Sequence, residues 1–190
     1  MSEPAPSSQA RVALLLHGHG PVGRRVCARL TADGTAVAVA CPSADQVALF
    51  VREFAAAPAV ALPYELAPGD TGATQRMLAE VTAELGRIDC LVDLLPGDAP
   101  DFPVADDVRR TMLGAGNQAR IVLVTSPRHA RETARWVRAA ITAHVKVNAL
   151  VALDGTPAEH IAGAVLLLLA ADAQGISGQL IEVGASDGLC

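Results

Sequence analysis

Seven short apolar runs, each separated from the next by a stretch of helical periodicity, constrain this chain more than any other feature. The runs fall at 11–16, 35–41, 59–64, 88–95, 120–125, 145–151 and 179–183. Between them, apolar residues recur every three to four positions over 21–33, 44–56, 70–85, 106–113, 131–143 and 157–172, with Thr156 expected to cap the last helix. A strand apolar on both faces must be covered on both faces, and regular alternation with helices provides that cover only in a parallel sheet. Right-handed crossovers then give an α/β, doubly wound Rossmann-type fold with helices on both faces. No internal linker divides residues 11–190, so they are expected to form a single domain. Residues 1–10, rich in Ser, Pro and Ala, are expected to form a disordered tail.

The first strand runs into Gly18-His19-Gly20-Pro21-Val22-Gly23, a GxGxxG that opens the first helix. That context matters, because the motif alone is weak. The first glycine permits a tight turn, the second lets a pyrophosphate approach the backbone, and the third lets helix and strand pack closely. Free N–H groups and the helix dipole face the anion. The same glycines would also be required merely to make the turn. Where the second strand ends, an acid would hold a ribose diol and an arginine would accept a 2′-phosphate. Cys41-Pro42-Ser43 stands there instead. Ser43 and Arg24 are the residues left to substitute, and each also reads as an ordinary cap or solvated side chain.

A formal net charge of -5 and an aromatic content of 3% supply neither the cations nor the stacking surfaces of a nucleic-acid binder. The longest apolar run, 161–171, is too short to span a bilayer. Cys27, Cys41, Cys90 and Cys190 lack the spacing of a zinc site or a disulfide framework, so no metal is expected and a reducing cytoplasm is.

Several segments carry a resemblance to the short-chain dehydrogenase/reductase family. GRIDCLVDLLPG (86–97) is similar to that family's GxIDxLVNNAG, and ARIVLVTS (119–126) and VKVNAL (145–150) match its next two strands. PAEHIAGAVLLLLAADAQGISGQLIEVGASDG (157–188) resembles its closing helix, turn and last strand. The resemblance implies about seven strands in the order 3-2-1-4-5-6-7, a bound NAD(P)(H), and a catalytic serine at Ser126 working with a Tyr-x-x-x-Lys pair. It also implies an adenine contact at Glu65. The departures matter equally. The only tyrosine is Tyr64 and the only lysine Lys146, whose spacing cannot set phenol beside ammonium on one helix. The stretch from Ser126 to Asn148 is shorter than the family's, as in a truncated, degenerate member. Asp93-Leu94-Leu95-Pro96 replaces the family's Asn-Asn-Ala-Gly, placing an anion and bulk against the cofactor. Losing several contacts costs several kcal/mol in sum, about a thousandfold in affinity, so weak NAD(P) binding or none is expected. The expected cofactor contacts are therefore Gly18, His19, Gly20, Val22, Gly23, Ser43, Glu65 and Asp93.

The fold should bring other polar residues to the crevice: His17, His19, Asp93, Thr125, Ser126, His129 and Asp154. There is no GxSxG elbow and no third metal ligand beside the two histidines, so these residues read first as loop-exposed groups at strand ends. The last helix is apolar nearly all round and should be buried on two sides, one against its own sheet and one against a second subunit. Trp136 is expected either at a second interface or packed on its own sheet. The expectation is thus an associating subunit of a biosynthetic pathway, self-paired or joined to a full-length homologue through 157–172 and 179–184. The alternatives are an atypical NAD(P)H-dependent reductase, a non-redox enzyme using the crevice, and a small-ligand sensor.

Overall fold

The computed structural model describes residues 10–67, 71–94, 102–116 and 118–184. The expected tail therefore lies outside the described residues except for Ala10, as do Leu95 and Pro96. The elements are β1 (Val12–Leu16), α1 (Pro21–Ala32), β2 (Ala36–Cys41), α2 (Ala44–Phe54), β3 (Ala61–Glu65), α3 (Thr71–Leu85) and β4 (Cys90–Leu94). They continue as α4 (Phe102–Gly114), β5 (Ala119–Thr125), α5 (Ala130–Ala140), β6 (Val145–Ala152), α6 (Ala158–Leu169) and β7 (Leu180–Val183). The seven strands form one sheet in the order β3-β2-β1-β4-β5-β6-β7, every pair parallel.

Alternation along each strand sorts the core into two layers. Leu14, Leu16, Leu91, Ile121 and Leu123 point to one face and meet Met77, Val81, Val108, Met112 and Val137 of α3, α4 and α5. Ala13, Leu15, Val37, Val39, Val92 and Val122 point to the other and meet Val26, Leu30, Phe50, Ile161, Val165 and Leu168 of α1, α2 and α6. All five β1 side chains are buried, as the centre of a doubly covered sheet requires.

Helix ends have local causes. α1 and α3 are each followed by a glycine in the left-handed region, Gly34 at φ 78 and Gly86 at φ 88, where a side chain would be strained. α5 stops at Ala140, short of the expected 143. Thr142 Oγ1 accepts from the backbone N–H groups of His144 and Val145 at 3.3 and 3.0 Å, and this turn replaces the helix. α4 begins at Phe102, inside a stretch expected to be loop. Pro103 is compatible because a first-turn N–H has no partner within a helix.

Thr156 does not cap α6. Its hydroxyl donates to the carbonyls of Leu153 and Val183, and Pro157 holds the cap position. α1 of the same chain packs along one flank of α6, and Glu159 pairs with Arg25 and Arg29 of α1. Among the apolar positions of the helix, Leu167 remains 66% exposed. Trp136 stacks on Phe102 of α4 with ring centroids 5.7 Å apart, so it packs within the chain.

Candidate functional site

β1, β4 and β5 end side by side, with Leu16 opposite Asp93 and Asp93 opposite Leu123. In an open parallel sheet ligands bind at these carboxyl ends, where the strand order reverses between β1 and β4. The glycine turn that follows β1 has two structural glycines and one open one. A Cβ on Gly23 would lie 2.2 Å from the Gly18 carbonyl oxygen, and one on Gly18 would lie 2.8 Å from Val39. Gly20, the N-cap of α1, has nothing within 4 Å of the corresponding position. Pro21 then opens the helix, so Val22 and Gly23 follow it in the first turn with N–H groups that have no intrahelical partner.

The residue that joins strand to turn is His17, at φ 57. A left-handed conformation costs a non-glycine residue about 1–2 kcal/mol, and such strain collects at functional positions. Its Nδ1 lies 3.1 Å from Oδ1 of Asp93. Asp93 sits within β4, fully buried, with its carboxyl group against His17. When Asp93 is ionised it can only accept, which puts the proton of this hydrogen bond on Nδ1 and leaves Nε2 as the outer nitrogen of a partly exposed ring.

His19 stands beside the pair. Burial, then the nearby His17 and Arg24 charges, push its pKa below the ordinary imidazole value, and its buried Nδ1 has no hydrogen-bond partner among the described residues. It lines an open groove of about 830 Å³ between α1 and α2 with Arg24, Gln46 and Glu53. Arg24 donates to the His19 carbonyl at 2.9 Å and pairs with Glu53 at 2.9 Å.

The remaining expected residues are dispersed. Ser126 follows β5 at the correct edge, its buried Oγ without a hydrogen-bond partner among the described residues. Thr125 is buried and accepts from Thr133 at 3.4 Å. His129 lies in the 3₁₀ turn Pro127–His129, and Asp154 is exposed in the turn after β6. Tyr64 is on β3, where its hydroxyl donates to Glu84 of α3 at 2.9 Å. Burial, then that hydrogen bond and the charges of Glu84 and Glu80, drive its pKa upward. Lys146 is near the start of β6, opposite Arg120, at the end of the sheet remote from Ser126. Tyr64 is thus engaged with α3, and Lys146 lies at the opposite end of the sheet from Ser126.

A dinucleotide fits these residues poorly. Cys41 is fully buried at the end of β2, and Ser43 Oγ accepts from the Gln46 N–H at 3.4 Å as the cap of α2. Arg24 is already paired, and Asp93 faces His17. Of the ribose and adenine positions, Glu65 alone is exposed and without an assigned partner among the described residues, at the end of β3 opposite Cys41. Among the described residues no cluster of three or more His, Cys, Asp or Glu side chains is arranged to hold a metal ion, and no helix is long and apolar enough to cross a membrane.

Two structural residues had only a motif as their signal. Asn148 donates to the Ile176 carbonyl at 3.0 Å and accepts from the Gln179 N–H at 3.1 Å, fastening the approach to β7. Asp89 accepts from the Val12 N–H at 2.9 Å and so ties the start of β1 to β4. They lie in the VKVNAL and GRID segments that carry the resemblance, whose match marks them without giving their partners.

No protein-family model matches the chain, and no curated protein matches it in sequence. Solved structures share its fold. YwfH, an NADPH-dependent reductase involved in bacilysin biosynthesis, is 14% identical with a TM-score of 0.77, over 91% of this chain and 98% of that one. A short-chain dehydrogenase from Bacillus anthracis is 14% identical with a TM-score of 0.79, over 92% and 95%. A variant of the actinorhodin polyketide ketoreductase with NADPH is 17% identical with a TM-score of 0.78, over 95% and 98%.

Proposed function

We propose that this chain, which carries the Rossmann-type α/β fold of the short-chain dehydrogenase/reductases, is not a ketoreductase of the usual kind and works as an associating subunit. The observation that carries the reading is the setting of Ser126: phenol and ammonium are both elsewhere, on β3 and at the far end of β6. Proton delivery to a reduced carbonyl by a serine alone lacks a donor of matched acidity. Association is supported by the outer edge of the sheet, where β7 has one strand neighbour among the described residues and exposes Leu180 and Ile181, and by the exposed Leu167 of α6. An apolar edge strand left open invites pairing with another chain.

The partner is a second copy or a full-length short-chain dehydrogenase whose active site it supports. A biosynthetic setting is suggested by fold neighbours such as the bacilysin reductase and the actinorhodin ketoreductase. Light scattering on the purified chain and on a Leu167→Arg, Ile181→Arg variant tests the self-pairing arm, and co-expression with a full-length homologue tests the other. Expected is an oligomer that the double variant dissociates, or a stable complex with altered partner turnover. A monomer that leaves the homologue's rate unchanged refutes the proposal. So does NADPH-dependent reduction of a ketone at ordinary enzymatic rates by the chain alone.

A further inference from the structure

One face of α5 carries charge that nothing else in the chain answers. Arg131, Arg135 and Arg138 are exposed and stand at i, i+4 and i+7. At 3.6 residues per turn they share an arc of about 60° and span about 10 Å of the helix axis. The buried side of the helix, Thr133, Val137 and Ala140, lies opposite, so the three guanidinium groups stand on the outer crest. None of the three has a hydrogen-bond or ion-pair partner among the described residues, the exposed Glu132 of the same helix included. Every other arginine of the described residues is engaged, as Arg24 is by Glu53, Arg29 by Glu159 and Arg120 by the Leu169 carbonyl. The unpaired cluster also works against the helix that bears it, because like charges at i and i+4 repel and a cation in the first turn opposes the helix dipole.

We propose that this face docks an acidic helix of a partner protein, whose carboxylates at the same spacing meet the three guanidinium groups. Arginine suits the task, since its planar fork holds a carboxylate through two parallel N–H donors. Ala134 and Ala139 flank the crest, and their short side chains let a second helix come close. The length of the strip decides the class of partner. A nucleic-acid duplex or a bilayer extends its anionic surface far beyond two helical turns, where it meets a chain of net charge -5. A helix with carboxylates along one face meets the strip alone. α5 packs on the same sheet face as α3 and α4, opposite that of α6, so this docking is independent of association through α6 and β7.

The probe is a fluorescein-labelled, alanine-based peptide of about 20 residues, long enough to hold a helix, with glutamates at i, i+4 and i+7. Its binding to the full chain is followed by fluorescence anisotropy at low ionic strength. An exposed pair of good geometry contributes up to about fivefold in affinity, so the combined Arg131→Gln, Arg135→Gln, Arg138→Gln variant should raise Kd at least about tenfold. Glutamine matches arginine in helix propensity, so the fold should be kept. The control, Arg25→Gln, Arg29→Gln, Arg110→Gln, removes the same charge from arginines already paired and should change Kd less than about twofold. Arginine Nε–H NMR on the wild type locates the contact without any variant: the signals of Arg131, Arg135 and Arg138 should move with peptide, and those of Arg25, Arg29 and Arg110 should not. No binding at about 1 mM peptide, a smaller loss than expected in the α5 variant, or an equal loss in the control overturns the proposal. So does equal affinity for a peptide of the same composition with its glutamates spread round the helix, or tighter binding to duplex DNA or to phosphatidylserine vesicles.

Discussion

Replacing Gly23 by alanine separates the structural use of the glycine turn from any use in binding. The new Cβ would lie 2.2 Å from the Gly18 carbonyl oxygen and 2.5 Å from its carbonyl carbon and Cα, against an ordinary contact distance beginning near 3.4 Å. All three atoms are backbone, so no rotamer change relieves the clash. Either the turn or the first turn of α1 must move by about 1 Å, and overpacking of this kind costs about 1–3 kcal/mol or more. Alanine in place of glycine returns about 1 kcal/mol of helix propensity. With the rigid contact at the upper end of the range, a net loss of about 2 kcal/mol remains. In a domain of this size each kcal/mol moves Tm by roughly 2–4 °C, so Tm should fall by about 4–8 °C. Gly20→Ala is the control: it meets nothing within 4 Å, and its backbone at φ -79 suits alanine. It should cost no more than about 1 kcal/mol, the usual effect at a cap. Thermal and urea unfolding of the ligand-free proteins measure both. Equal stability of Gly23→Ala and wild type, or a larger loss for Gly20→Ala, would refute the packing argument.

Titration with NADH or NADPH at millimolar concentration should raise Tm by less than about 1 °C, because a ligand stabilises in proportion to ln(1 + [L]/Kd) and the ribose-facing groups are buried, capped or paired; a rise of several degrees would revive the reductase alternative. Tyr64 should resist ionisation in an ultraviolet titration. Since its folded-state pKa is raised above the ordinary value of 10.0, the stability it contributes is full below pH 10 and is lost as the pH climbs beyond, where the unfolded phenol ionises first; an ordinary phenol titration in the folded chain would contradict this. Asn148→Ala removes a two-bond clasp and should cost about 1–3 kcal/mol, with faster hydrogen exchange over 176–183 as its local signature. Native Cys27, Cys41 and Cys90 should escape Ellman's reagent at pH 8. Burial raises their thiols to about 12, about 11 and about 11, so rapid labelling of any of them, mapped by mass spectrometry, would show that the core opens.

The fold was legible because its signals are local or repetitive. A doubly covered strand is a continuous apolar run, and an amphipathic helix has its own period, so elements and class follow from the chain itself. Observed and expected boundaries differ where side chains compete with backbone, as Thr142 does at the end of α5 and Thr156 does before α6. The cover of α6 is a related case. Periodicity shows that a face is apolar without showing which element covers it, and here α1 of the same chain takes one flank.

The candidate site divides in the same way. That no phenol and amine share a helix is a fact of spacing, decided before any folding: a single tyrosine at 64 and a single lysine at 146 cannot be i and i+4. Which glycine is packed and which is open, what Ser43 and Arg24 are occupied with, and how Asp93 is used were all settled only in three dimensions. His17 and Asp93 lie 76 residues apart. They meet because β1 and β4 pair in parallel with Leu16 opposite Asp93, and a slip of one residue would turn the carboxylate to the opposite face of the sheet. Local sequence encodes the period of an element, whereas the register between distant elements emerges from packing the whole sheet at once.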